Sequence, residues 1–387
     1  MTAKPARARV VTGLGEVAPA LWDALGGEEG PRQNPFLRHA FLAALEESGS
    51  VGPGTGWTPS HLLLEGSDGA LLGAAPMYFK SHSQGEYVFD HGWAEAFERA
   101  GGRYYPKLQI AVPFTPVTGR RLLLAPNADA AAGEQGLVAG ATAFATRLGV
   151  SSIHLTFLTE GEWRRLGAAG FLQRTDQQFH WINEGYRSFD DFLAALSSRK
   201  RKLVRRERAA VADAGIAFRW LTGSDLTESV WDTFFAFYMD TGSRKWGRPY
   251  LTREFFSRLS DAMGKAVLLV LAERNGAPIA GALNLIGTST LFGRYWGTLE
   301  DHAFLHFETC YYQAIDYAIA HGLSRVEAGA QGPHKLARGY RPVTTYSAHW
   351  IAHQGLKDAV ARYLVAERAA VAEEHEMLEE HLPFRHG

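Results

Sequence analysis

Ser324–Trp350 reads SRVEAGAQGPHKLARGYRPVTTYSAHW: a short apolar strand, a glycine-rich cationic turn and a second strand in one run. Val326-Glu327-Ala328-Gly329-Ala330 has the alternation of a strand entering a crowded interior. In the turn that follows, Gly329, Gly332 and Gly339 leave the backbone free to approach a ligand closely. Into it the chain places Gln331, His334, Lys335, Arg338, Tyr340 and Arg341. Bare amides beside an ammonium and guanidiniums suit an anion such as phosphate or carboxylate. Glu327 lies in the strand just upstream, where a carboxylate needs a reason to be, and that favours a site over a solvated turn.

Working outward, the same order of elements occurs twice. Val267–Ala272, Asn275-Gly276 and Pro278–Ile286 read as strand, tight turn, strand, and His61–Leu64, Asp68-Gly69 and Leu71–Phe79 read the same way. A helix over Glu308–His321, the strand at Ser324 and a strand through Tyr346–Ile351 follow the later hairpin. A helix over Ala131–Leu148, the strand SSIHLTFL at Ser151–Leu158 and a strand through Gln178–Ile182 follow the earlier one. Both closing strands carry His-Trp-Ile, at His180 and His349, and these read as core histidines. Two diverged copies of one α/β unit explain the order. The expected architecture is a tandem duplication, with an N-terminal domain over 1–185 and a C-terminal domain over 186–387. Each would be a central mixed sheet flanked by helices.

At 387 residues the chain suits two domains of ordinary size, and its apolar content supplies two cores. Forty basic against 41 acidic residues leave no global polyanion-binding charge, so any phosphate or nucleic-acid contact needs a local patch. The lone Cys310 excludes an intrachain disulfide and reads as a packed thiol. No His/Asp/Glu cluster has metal spacing and no Gly-x-Ser-x-Gly elbow appears, so no metal and no serine nucleophile are expected. No signal peptide and no long apolar run point to a soluble, cytoplasmic protein without a membrane span.

Two segments stand out from the repeat. His82–Gly119 is dense in His, Tyr, Trp and Pro without clean periodicity, and reads as the lining of a cleft with His82, Glu86, Asp90, Tyr105 and Lys107 as candidate ligands. The helix opened by the Ser188–Asp191 capping box is expected to run to Ala214. It carries the only dense basic run: Arg199, Lys200, Arg201, Lys202, Arg205, Arg206 and Arg208 against a single acid, Glu207. Arg201 and Arg205 share a ridge, Leu196, Leu203 and Ala210 form the opposite stripe, and an anionic ligand would relieve the repulsion. A C-terminal helix over Leu356–Glu379 closes the chain.

The hairpin, helix and strand order resembles the acyltransferase fold of the GNAT superfamily, and its tandem arrangement resembles the Fem peptidoglycan aminoacyltransferases. SHSQGEYVFDHGWAEAF, SRKRKLVRRER, RKWGRPYL, GRYWG, FETCYYQAIDYAIAHGL and EAGAQGPHKLARGY look like a FemAB-like family of N-acyltransferases, a peptidoglycan biosynthesis or recognition group. The resemblance covers nearly the whole chain. It implies transfer of an acyl or aminoacyl group from acyl-CoA or aminoacyl-tRNA to an amine, with a cell-wall precursor as acceptor and tRNA as a candidate partner. It also carries phosphate binding onto Lys335, in Lys335-Leu-Ala-Arg-Gly339. A coenzyme A pyrophosphate signature, Q/R-x-x-G-x-G/A, follows neither candidate strand in clean form, which leaves both donors open.

Amine acylation needs a neutral amine, a carbonyl held about 3 Å away and donors for the developing oxyanion. Glu327 or Glu308 is the candidate proton acceptor, and Tyr295 or His306 the candidate to protonate the leaving group. Arg294 and Trp296 end the strand beside the cationic turn and join the candidate binding set. One reactive site is expected, in the second half. The rival is a non-catalytic protein that recognises a cell-wall precursor or RNA through the same cleft.

Overall fold

Val267–Ala272 is apolar at every position, which suits a strand covered on both faces, and all six residues are buried. The computed structural model describes residues 6–27, 30, 32–246, 249–329 and 332–385. In chain order the strands and helices are β1 (Arg7–Val11), α1 (Pro19–Asp23), α2 (His39–Glu47), β2 (Trp57–Pro59), β3 (His61–Glu65), β4 (Leu71–Ala75), β5 (Met77–Lys80), α3 (His91–Arg99), β6 (Lys107–Ile110) and β7 (Leu123–Leu124). Next come α4 (Ala130–Leu148), β8 (Ser152–Leu158), α5 (Glu160–Ala168), β9 (Leu172–Ile182), α6 (Phe189–Ala195), α7 (Ser198–Asp213), β10 (Ile216–Leu221), α8 (Glu228–Trp246) and α9 (Arg253–Met263). The remainder is β11 (Val267–Arg274), β12 (Ala277–Ile286), β13 (Thr290–Thr298), α10 (Leu305–Phe307), α11 (Gln313–Ala320), β14 (Arg325–Glu327), β15 (Arg341–Ile351) and α12 (Gln354–Glu380).

The chain forms two units, but not at the expected 185/186 boundary. One comprises residues 1–176 and 344–372, the other 177–343 and 373–387. The cause is an exchange of closing strands. His180-Trp181-Ile182 of β9 pairs antiparallel with Arg325–Glu327 of β14, in the second unit. Tyr346–Ile351 of β15 pairs antiparallel with Ser152–Leu158 of β8, in the first. A ladder needs backbone partners and a matching apolar face, not sequence adjacency.

In the first unit, β1, β3, β4 and β7 form one sheet, while β8, β6, β5 and β2 follow one another in a second. The expected strand Leu71–Phe79 is therefore two. It divides at Pro76, which has no N–H to continue a ladder, and β4 and β5 go to different sheets. β6 lies parallel to β8 with the α4 crossover between them. In the second unit β10, β11, β12, β13, β14 and β9 lie side by side, and β13 lies parallel to β14 with α10 and α11 between them. Helix–parallel strand units of the same form thus occur in both.

Three helix expectations change. The single helix over 188–214 is two helices with an extended Leu196 between them. The C-terminal residues supply backbone partners at the break: Ser197 N–H donates to Pro383 O and Arg385 N–H to Ala195 O. The buried stripe of α7 is Val204, Glu207 and Val211 instead of Leu203 and Ala210. Between α10 and α11, Glu308–Tyr312 forms one wide π-helical turn. Among the described residues no helix is long and apolar enough to cross a membrane.

Two core histidines meet inside the first unit. His154 and His349 place their Nδ1 atoms 2.6 Å apart, with Trp93 packed on both rings. Burial pushes His154 down to about 3 and His349 well below its ordinary range. Unfolded, each imidazole binds a proton near pH 6.5, so this pair withdraws stability as pH falls below that value toward about 3. By NMR, neither ring is expected to titrate between about pH 8 and about pH 5. A titration midpoint near 6.5 for either would refute the buried neutral pair.

Candidate functional site

The described residues of the cationic turn take backbone shapes that favour glycine: φ is 79° at Gly329, 126° at Gly332 and 89° at Gly339. Pro333–Arg338 winds into a 3-10 turn. Ala330 and Gln331, the latter a candidate ligand, lie outside the described residues. Lys335 points inward, 1% exposed, and its Nζ donates to Gly329 O at 3.0 Å. Burial lowers its pKa to about 8. His334 is exposed and its Nε2 lies 2.9 Å from the Tyr311 hydroxyl. Arg338 is buried and salt-bridged to Glu207. Tyr340 is buried in the apolar core. Arg341 leaves this group, bonding Glu184 and covering the Phe384 ring.

β13 runs beside β14 only over Thr290–Phe292, opposite Arg325–Glu327. On its other edge, Leu283 pairs with Tyr295 and Asn284 with Gly293, so Arg294 is the extra residue of a β-bulge. A crevice of about 100 Å³ opens where the β14 ladder ends. Its lining includes Asn284, Gly293, Arg294, Tyr295, Trp296, His306, Cys310, Tyr311 and Ala328. A Cβ on Gly293 would stand 3.3 Å from Glu327 O and 3.4 Å from Asn284 Oδ1, so glycine permits this close approach. Trp296 and Tyr311 each pack edge-on to His306 with ring centroids 5.3 Å apart.

Glu327 is 4% exposed. Its Oε1 lies 3.3 Å from Arg325 Nε, and its Oε2 has no hydrogen-bond partner among the described residues and lies 3.8 Å from His180 Nε2. Burial raises this carboxyl to about 7, against the pull of Arg325 and of Arg294 on the crevice wall. The other candidate base, Glu308, has both oxygens engaged by Arg208 and Gln313. Arg201 and Arg205 lie on α7, where Arg205 is exposed and 3.7 Å from Asp190.

The candidates of the first half meet, but not as ligands lining a cleft. His82–Gly119 contains α3 and β6, and its Glu86, Asp90 and Lys107 are buried against one another. Lys107 Nζ donates to Ser83, Glu86 and Asp90 at 2.7, 2.7 and 2.5 Å. Lys80 lies 3.7 Å from Glu86 and 3.7 Å over the Trp57 ring. Tyr105 bonds Ser83, and His82 is half-buried, its Nδ1 accepting from Gln84 N–H. A lysine buried among apolar strands pairs with whatever carboxylates the fold brings near, so charge density in the sequence marked a core cluster.

Sequence reasoning missed Asn284, Gly293, Cys310, Tyr311 and Ala328 as crevice residues. A polar side chain in the apolar run Ala282–Ile286 and a glycine inside strand Thr290–Thr298 were the available signals. Cys310 is half-buried, packed against the apolar core as expected, and also lines the crevice.

A family model described as peptidoglycan biosynthesis/recognition, FemAB-like, matches residues 13–386. The chain belongs to the FemAB-like family. No curated protein matches its sequence. Among solved structures, that of FemX is 14% identical, with 92% of this chain and 100% of that one covered and a TM-score of 0.54. The C-terminal domain of a putative lysylphosphatidylglycerol synthetase from Agrobacterium fabrum is 8% identical, with coverages of 90% and 96% and a TM-score of 0.51. A tandem GNAT protein from the clavulanic acid biosynthesis pathway is 13% identical over 90% and 98%, with a TM-score of 0.47. The fold is shared with FemX, and two α/β units in tandem are what was expected for a FemAB-like chain.

Proposed function

We propose that this FemAB-like protein transfers an acyl or aminoacyl group onto an amine at the crevice of the second unit. The observation that carries the reading is the parting of β13 from β14 beside a buried carboxyl with a pKa of about 7. A proton acceptor with that pKa is matched to neutral pH. Glu327 takes the proton of the attacking amine, directly or through one water, while nitrogen bonds to the carbonyl carbon. Backbone amides of β13 from Gly293 onward are the candidate oxyanion donors. As the tetrahedral intermediate collapses, the thioester C–S or ester C–O bond of the donor breaks. Tyr295 or His306, both on the crevice wall, then protonates the leaving thiolate or alkoxide.

Arg294 on the crevice wall supplies positive charge for the donor's phosphates, whether acyl-CoA or aminoacyl-tRNA. The exposed cations of α7, Arg205 among them, suit the same polyanions, and a peptidoglycan precursor is the acceptor that the family suggests. The cytosol, where both donors occur, is the proposed location.

The test pairs thermal shift with mass spectrometry. Acetyl-CoA or alanyl-tRNA is expected to raise the melting temperature and to give an N-acylated product from a muropeptide amine. Stabilisation by muropeptides or RNA alone, with no amide formed from either donor, would overturn the reading in favour of a binding protein.

A further inference from the structure

Glu207 is the single acid within the basic run Arg199–Arg208, and it faces inward from α7, 2% exposed. Its neighbours explain why. Arg338 donates to it twice, Nη2 to Oε1 at 2.7 Å and Nε to Oε2 at 3.0 Å. The Tyr312 hydroxyl donates to Oε2 at 2.5 Å. Both oxygens are therefore used, in bonds strengthened by charge.

Those two donors belong to different segments: one to the turn that follows Ala328 of the crevice lining and is tied back to Gly329 by Lys335, the other to the helical turn that lines the crevice. Arg338 ends the 3-10 turn that carries His334 and Lys335, donates from Nη1 to His334 O at 2.7 Å and lies 3.4 Å over the Phe307 ring. Tyr312 ends the wide helical turn whose Cys310 and Tyr311 line the crevice. The same segments touch once more where Tyr311 meets His334. Without the carboxylate, the guanidinium and the phenol would lose the acceptor they share.

We propose that Glu207 is a positioning residue: through Arg338 and Tyr312 it holds the cationic turn against the helical turn and so sets the width of the crevice. This rests on the crevice being the transfer site, and the experiment separates the two claims. Cys310 is the only thiol in the chain, so N-ethylmaleimide labelling of the native protein reports one point on the crevice wall. Losing a buried charge-assisted bond is expected to make opening at least about 10-fold more frequent. Glu207→Gln should therefore raise the labelling rate by about that factor, and Tyr312→Phe, which removes one bond, should raise it less. Glu228→Gln, which breaks the Glu228–Arg253 pair at the protein surface, should leave the rate unchanged.

If Glu207→Gln does not fold, Tyr312→Phe carries the test alone. Labelling at the wild-type rate in every folded variant overturns the proposal, because a purely structural ion pair would lower the melting temperature without opening the crevice. With acetyl-CoA or alanyl-tRNA as donor, Glu207→Gln should lower kcat/KM and Glu207→Asp should recover part of the loss. Faster labelling with no transfer from either donor would keep the positioning role and reject the transferase reading.

Discussion

Glu327→Gln is expected to slow acyl transfer about 100- to 1000-fold, the range for loss of a general base in place. The substitution keeps the shape of a side chain that is 4% exposed and removes only its capacity to accept a proton. In the wild type, kcat/KM should rise with pH through about 7, the value to which burial raises this carboxyl, and then level off. That limb should vanish in the variant. Stability should move oppositely. The native pKa of about 7 lies above the ordinary 4.5, so the carboxyl stabilises the fold in its protonated form and withdraws that stability as pH rises through about 7. Glutamine never ionises. Above about pH 7 the variant should be the more stable protein, by up to about 3 kcal/mol, with the advantage gone below about pH 4.5. Stopped-flow or discontinuous product assays and urea melts at two pH values check both. An unchanged rate would remove Glu327 from the reaction.

Lys107→Met should have the largest effect on stability, a loss of about 3–5 kcal/mol, because it leaves Glu86 and Asp90 buried without their main counter-ion. Burial pushes Glu86 up to about 7, whereas the Lys107 ammonium holds Asp90 well below the usual carboxylate range despite burial. Lys80, itself brought down to about 7 by burial, lies 3.7 Å from Glu86, farther than Lys107 at 2.7 Å, and so replaces it poorly. Combining Lys107→Met with Asp90→Asn should recover a large part of the loss, since the destabilising agent is the uncompensated charge. Urea titration of the three proteins decides it. If Lys107→Met melts like the wild type, the cluster is not holding the first unit together.

The cationic turn illustrates how far residue type can be read. Glycines at 329, 332 and 339 fit the unusual backbone found there, and Glu327 is the buried carboxyl that its place in an apolar strand suggested, because both follow from local chemistry. The destination of each cation was not legible. Lys335 turns back to Gly329 O, Arg338 goes to Glu207 and Arg341 to Glu184, partners 6, 131 and 157 residues away. Among the described residues of that turn, His334 is the exposed one, and it touches the crevice lining at Tyr311. The first-half residues failed for the same reason in reverse: Glu86, Asp90 and Lys107 were grouped rightly, but their mutual neutralisation depends on burial.

Apolar periodicity, turn residues and a repeated order of elements were sufficient, without coordinates, to point to a duplicated α/β chain, since each reports on neighbours a few residues apart, while the FemAB-like family was legible only through the resemblance of longer motifs. Folding in three dimensions alone decided which copy each His-Trp-Ile strand completes and where β13 leaves β14. Hydrogen-bond ladders join strands by geometry, with no regard for their separation along the chain, and so the pairing that shapes the crevice cannot be read from linear order.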